Sequence, residues 1–93
     1  MNPIMVTVRQ EGLSPESLEI APDGTMAQAE EVASYLRAAH LVVSGPVETE
    51  PKDWQHPSKA GKVIQIYIDT VEDYEQAMSL AYYTKTRFPD MTD

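Results

Sequence analysis

Residues 62–88 read KVIQIYIDTVEDYEQAMSLAYYTKTRF, and the spacing of the apolar side chains changes once within this stretch. Between Val63 and Ile68 the isoleucines recur at every second position, which places them on one face and is typical of a half-buried strand. After Thr70 the apolar residues follow the period of a helix. The inward stripe predicted for this helix consists of Val71, Tyr74, Met78, Ala81 and Tyr82. The stretch therefore predicts a strand that leads directly into a helix.

The ends of this helix are marked by residues that suit its dipole. Asp69 and Thr70 are predicted to cap its first turn, which is acidic, and Lys85 lies in its last turn. Phe88 precedes a proline, and a residue in that position is disfavoured in the α region, so the helix is predicted to end there. The predicted cap, the charge gradient and the periodicity all indicate the same helix.

The first half of the chain predicts a second strand and helix pair. Residues 4–9 alternate and are rich in β-branched side chains, which indicates a strand. Thr25 and Gln28 have the spacing of a capping box, so a helix is predicted from about Met26 to near His40. Its inward face is expected to consist of Met26, Ala29, Val32, Ala33, Leu36 and Ala39.

Two segments leave the strand order open. Residues 41–43 are predicted to form a short strand or a buried connection, which stops at the turn sequence of residues 44–46. Residues 18–20 form either a short strand that covers the first strand or part of a loop. In the second case the first strand lies at an open edge, which invites pairing with another chain.

These elements in order predict an α+β fold, a β-α-β-β-α sandwich. It has a short mixed or antiparallel sheet with two helices on one face. The arrangement is related to the ferredoxin-like layout but lacks its last strand. The length predicts a single domain over residues 1–93.

Composition narrows the environment and the classes of partner. The chain has no cysteine, which excludes disulfides and thiolate sites and favours the cytoplasm. No apolar run approaches the roughly 20 residues of a membrane span, and the first residues do not resemble a signal peptide. The net charge of −8 disfavours attraction to nucleic acid or anionic lipid.

The sequence predicts no enzyme, cofactor or metal site. The serines and glycines form no nucleophile elbow or phosphate loop. His40 is expected to meet the last carbonyls of its helix, and His56 stands in a loop, neither at metal-ligand spacing. The acids from Asp69 to Glu75 suit a helix start better than a calcium loop.

Two surfaces are predicted to bind a partner. Trp54 and His56 lie in a long loop, residues 44–61, and an exposed aromatic in such a loop is typical of an interface hot spot. The alternative is that Trp54 folds into the core. Leu80, Tyr83 and Arg87 form a second candidate surface on the last helix, unless packing against the N-terminal loop explains them.

The sequence therefore predicts a small acidic module that acts by binding another protein, with inhibition of that protein as one possible outcome. By analogy it resembles accessory proteins of phages and mobile elements that target a host factor. One alternative is a structural component that self-associates, for example as a homodimer through a sheet edge. A third is a small-ligand or enzyme domain that uses Asp53, His56 and Lys59.

Overall fold

The computed structural model describes residues 1–70 and 74–87, the last two of these by their backbone only. This part of the chain contains four strands and two helices. In chain order they are β1 (Asn2–Gln10), β2 (Glu16–Gly24), α1 (Met26–Ala38), β3 (Val42–Thr49), β4 (Val63–Thr70) and α2 (Tyr74–Arg87). Neither helix in these two ranges is long and apolar enough to cross a membrane.

The four strands form one mixed sheet in the order β2-β1-β4-β3. β1 pairs antiparallel with β2 and parallel with β4, and β4 pairs antiparallel with β3. The predicted α+β class is therefore confirmed, with a fourth strand that includes residues 18–20. Because β2 covers β1, the first strand lies inside the sheet, and the edges among the described strands are β2 and β3.

Both helices pack on the same face of the sheet and share one core. Alternate residues of the two central strands point into this core, and the helices meet them mostly with small side chains. The small side chains let the helix backbones approach the sheet closely. The strands contribute Ile4, Val6, Val8, Ile64, Ile66 and Ile68, and the helices contribute Ala29, Val32, Ala33, Leu36, Ala77 and Ala81. Met26, which the pattern placed inward, is exposed at the start of α1.

α2 confirms part of the predicted stripe, since Ala81 is buried and Tyr74 and Met78 pack against the core, but Tyr82 does not belong to it. Ala77, Ala81 and Thr84 are fully buried, whereas Tyr82 is 56% exposed. The stripe is rotated because small residues allow α2 to lie close to the sheet, while a tyrosine there would hold it away. Leu80, predicted to point outward, packs against the core. Val71 and Phe88 lie outside the described residues.

The end of β4 is held to β1 by an ion pair. Asp69 and Thr70 are paired strand residues, opposite Arg9 and Gln10 of β1. The Asp69 carboxylate accepts hydrogen bonds from Arg9 Nε at 2.8 Å and Arg9 Nη2 at 3.0 Å. The Arg9 guanidinium also lies 4.2 Å from the centroid of the Tyr67 ring. Asp69 thus joins the ends of two parallel strands, and the predicted first turn of the helix, which includes residues 71–73, lies outside the described residues.

β3 continues through the residues predicted to stop it. The register with β4 shifts between Ser44 and Val47, so Gly45 and Pro46 form a bulge within the strand. Gly45 has a φ of 91°, which glycine adopts without a steric penalty. Arg37 Nη2 donates to the Gly45 carbonyl oxygen at 2.9 Å and ties the bulge to α1. The prediction that the strand stops at residues 44–46 is therefore wrong, because these residues form a bulge and pairing resumes at Val47.

α1 begins and ends with recognisable caps. The predicted capping box is confirmed, since Gln28 N donates to Thr25 Oγ1 at 3.1 Å and Thr25 N donates to Gln28 Oε1 at 2.8 Å. At the other end, His40 N donates to the Arg37 carbonyl at 2.9 Å and Leu41 N to the Leu36 carbonyl at 3.3 Å. This is the Schellman arrangement, in which the residue after the cap is left-handed.

His40 occupies that left-handed position with a φ of 68°. We expect His40→Gly to raise the free energy of unfolding by about 1 kcal/mol, because glycine adopts this conformation without the Cβ clash. Urea unfolding monitored by circular dichroism measures the change. Ala38→Gly, inside α1, is the matched control and should lower stability by about 1 kcal/mol. Equal changes in stability for the two variants would contradict the left-handed conformation assigned to His40.

Candidate functional site

The loop between β3 and β4 covers part of the sheet face that the helices leave free. Its anchor is Gln55, which is only 6% exposed although it is polar and lies in a loop. The side chain meets Thr7 of β1, Ser17 of β2 and Gln65 of β4. One loop residue therefore contacts three neighbouring strands of the sheet.

The hydrogen bonds of Gln55 form a compact network. Gln55 Nε2 lies 2.6 Å from Ser17 Oγ, 3.1 Å from Gln65 Oε1 and 3.2 Å from Thr7 Oγ1. In return, Gln65 Nε2 donates to Gln55 Oε1, so the two amides form a reciprocal pair. Gln55 Oε1 also accepts from Lys52 N at 2.9 Å. Among the described residues, no buried side-chain nitrogen or oxygen lacks a partner.

Two further contacts hold the loop against β2. Ser58 N donates to Glu19 Oε1 at 2.8 Å. Lys59 Nζ lies 3.3 Å from Asp23 Oδ2, close to the end of the strand. The loop is thereby attached at both its middle and its later part, on the same side of the sheet as Gln55.

The inward turn of Gln55 places its neighbours at the surface. Trp54 is 45% exposed and His56 is exposed. Both line a groove of about 680 Å³ at the β2 edge of the sheet, which we call the β2 groove. Other residues that line it include Met5, Glu16, Glu19 and Tyr82. Trp54 is therefore a wall of a surface groove and not part of the core.

The β2 groove reaches both faces of the sheet. Glu16 lies opposite Val8, whose side chain is in the helix-side core, so Glu16 is on the helix side with Tyr82 of α2. Glu19 lies opposite Met5 and faces the loop side, with Trp54 and His56. Each side of the strand edge thus presents one carboxylate and at least one aromatic side chain.

Tyr74 adds a contact on the helix side. Its hydroxyl lies 3.5 Å from the Ser14 carbonyl oxygen, in the turn before β2. Burial raises the pKa of Tyr74, and the negative charge of Glu16 raises it further.

The second predicted surface does not join the groove. Tyr83 is 49% exposed and its ring centroid lies 6.0 Å from that of Tyr35 on α1. Leu80 packs against the core, and the side chain of Arg87 lies outside the described residues. Of the candidate binding residues, the structure brings only Trp54 and His56 together.

Tyr82, Glu16 and Glu19 are among the groove residues that sequence reasoning missed. Tyr82 was assigned to the core because it continues the apolar period of α2. The small residues Ala77, Ala81 and Thr84, which are buried, were the signal in the sequence that Tyr82 lies on the outer side of the helix. Glu16 and Glu19 carry no local signal. They become part of a site only because β2 is an edge strand beside the loop.

The groove does not assemble the proposed acid–base set. Of Asp53, His56 and Lys59, only His56 lines it, and Lys59 is paired with Asp23. Within residues 1–70 and 74–87, no group of three or more histidine, aspartate or glutamate side chains is arranged to hold a metal ion.

Comparisons with protein-family models, with curated proteins and with solved structures find no match to this chain.

Proposed function

We propose that this protein is a cytoplasmic protein-binding module that takes an extended segment of another protein along the outer edge of β2. The observation that supports it is the β2 groove, which flanks this edge with Trp54 and His56 on one side and Tyr82 on the other. An added strand would bond to the strand backbone, and its alternate side chains would enter the two sides of the groove. On analogy with small acidic binders of phages and mobile elements, we retain the prediction that the partner is a host protein.

The two sheet edges differ in how well they could accept a strand. Among the described residues, no strand pairs with the outer edge of β2, and residues 16–19 pair regularly with β1 on the inner side. Regular backbone geometry leaves every second residue with its N–H and C=O directed outward. β3 is interrupted by the bulge at Gly45 and by Pro46, which has no N–H to donate. β2 also shifts register against β1 beyond Glu19 and contains Pro22, so residues 16–19 are the part of the β2 edge that favours strand addition.

Self-association through the same edge is the alternative proposal. A symmetric pair of β2 strands would bring Glu16 and Glu19 of both copies into one short stretch of sheet. Like charges at such positions destabilise strand pairing. A partner of different charge is therefore favoured over a second copy.

A displayed library of random twelve-residue peptides tests the proposal. We expect peptides to be enriched on the intact protein, and their binding to shift the backbone amide resonances of residues 16–20 in NMR spectra. Trp54→Ala should raise the dissociation constant of the selected peptides about tenfold, as expected for an aromatic hot spot.

Tyr83→Ala is the matched control, because Tyr83 is a half-exposed aromatic outside the groove. Its peptide affinity should equal that of the intact protein. The proposal is wrong if no peptide is enriched over an unrelated acidic protein, or if the shifts map to β3. Equal losses in the two variants would also contradict it.

A further inference from the structure

We infer that the segment bound at the β2 edge is basic and carries lysine or arginine side chains on both of its faces. This inference rests on the proposed strand addition and specifies the chemistry of the partner. Its basis is that the carboxylates of Glu16 and Glu19 lie on opposite sides of the same free strand edge.

Neither carboxylate is neutralised by the described part of the chain. Glu16 is exposed and forms no ion pair with a described lysine or arginine, although it lies beside Tyr74. Glu19 accepts one hydrogen bond at Oε1, from the backbone of Ser58. A backbone N–H carries no net charge, so this hydrogen bond does not pair Glu19 with a cation. Two unpaired charges therefore border a groove that also contains aromatic rings.

Among the described residues, no lysine or arginine forms an ion pair with Glu16 or Glu19. Lys59 pairs with Asp23, and Arg9 pairs with Asp69 at the carboxyl end of β1. The whole chain has a net charge of −8, which reinforces the local field at the groove and attracts a positive segment from a distance. Aromatic faces add to this preference, because a lysine or arginine can lie against Trp54 or Tyr82 while it meets a carboxylate.

The position of the two carboxylates predicts a pattern in the partner. Side chains of an added strand alternate between the two faces of the sheet. On the helix side they would meet Glu16 and Tyr82, and on the loop side Glu19 and Trp54. A segment with basic residues at adjacent positions, followed by apolar ones, satisfies both sides at once. A segment whose basic residues alternate would satisfy only one side.

Two synthetic peptides test this inference directly. Ac-TKKVVKKT-NH2 presents lysine and valine on each face, and Ac-TQQVVQQT-NH2 has the same apolar residues without charge. We expect the lysine peptide to bind the intact protein about tenfold more tightly at low salt, as estimated from about threefold for each exposed ion pair. Titration followed by NMR, up to millimolar peptide, measures both affinities. The preference should shrink at high salt because exposed charges are screened.

The control variants separate the groove from the overall charge. Glu16→Gln should reduce the affinity for the lysine peptide about threefold and leave the glutamine peptide unchanged. Glu30→Gln removes one negative charge from an exposed position of α1 outside the groove, and it should change the affinity for neither peptide. Equal losses in both variants would show that net charge alone is sensed and would overturn the inference.

The remaining outcomes distinguish this inference from the proposed function. If both peptides bind equally and shift residues 16–20, strand addition stands and the basic preference is wrong. If neither peptide binds and the displayed library yields no binder, both are wrong. If the library yields strong binders that lack lysine and arginine, only the inference fails.

Discussion

Gly45→Ala is expected to lower the free energy of unfolding by about 3 kcal/mol. Two effects add at this position. Gly45 has a φ of 91°, which L side chains rarely adopt, and a Cβ there would lie 2.6 Å from the Gln65 carbonyl oxygen. That oxygen belongs to the backbone of β4 and cannot move aside without disturbing the sheet. Denaturation in urea, with circular dichroism as the signal, measures the loss.

Gly12 provides a matched control for this prediction. It has a similar φ of 87°, but a Cβ there meets nothing within 4 Å. Gly12→Ala should therefore show the backbone effect alone, about 1 kcal/mol. The difference between the two variants reports the clash at the bulge. If Gly45→Ala lowers the free energy of unfolding no more than Gly12→Ala does, the bulge accommodates a methyl group and the close approach to Gln65 does not affect stability.

Gln55→Met is expected to lower stability by about 2 kcal/mol, the second large effect. Methionine has a similar length but makes no amide hydrogen bonds, so Thr7, Ser17 and Gln65 would each lose a buried partner. The loop should also loosen, since Gln55 is its anchor on the sheet. Trp54 is the only tryptophan of the chain, so its fluorescence reports on the loop directly.

A double-mutant cycle with Gln65→Met separates the amide pair from general packing. Each single substitution leaves the other amide without its hydrogen-bond partner, whereas the double substitution removes both amides. The loss in free energy of unfolding for the double variant should therefore be clearly smaller than the sum of the two single losses. Gln76→Met on the exposed side of α2 is the control and should change stability by less than about 0.5 kcal/mol. Additive effects of the two core substitutions would show that the reciprocal pair contributes little.

Tyr82 and Leu80 were assigned to the wrong sides of α2, since Tyr82 is exposed and Leu80 packs against the core. Periodicity identifies an apolar stripe, but α2 has apolar residues around much of its circumference. Which stripe turns inward depends on the space between helix and sheet. Close packing selects the small side chains of Ala77 and Ala81, and a tyrosine is left at the surface.

The candidate site was predictable only in part. Trp54 and His56 stood out because aromatic and polar residues in a long loop are typical of binding surfaces. Gln55 lies between them and was not singled out, since glutamine in a loop is ordinarily exposed. Its burial depends on Thr7 and Gln65, which are distant in sequence and meet it only when β1 and β4 pair.

The sequence by itself determined the local elements: the alternating strands β1 and β4, the capped helix α1 and the α+β class. These follow from side-chain periodicity and from capping hydrogen bonds between residues three or four positions apart. Only the tertiary structure decided that β2 covers β1, that β3 passes through a bulge, and that Glu16, Glu19, Trp54 and Tyr82 border one groove. The physical reason is that strand pairing, packing and loop anchoring join residues far apart in the chain, and their free energies appear only when those residues meet.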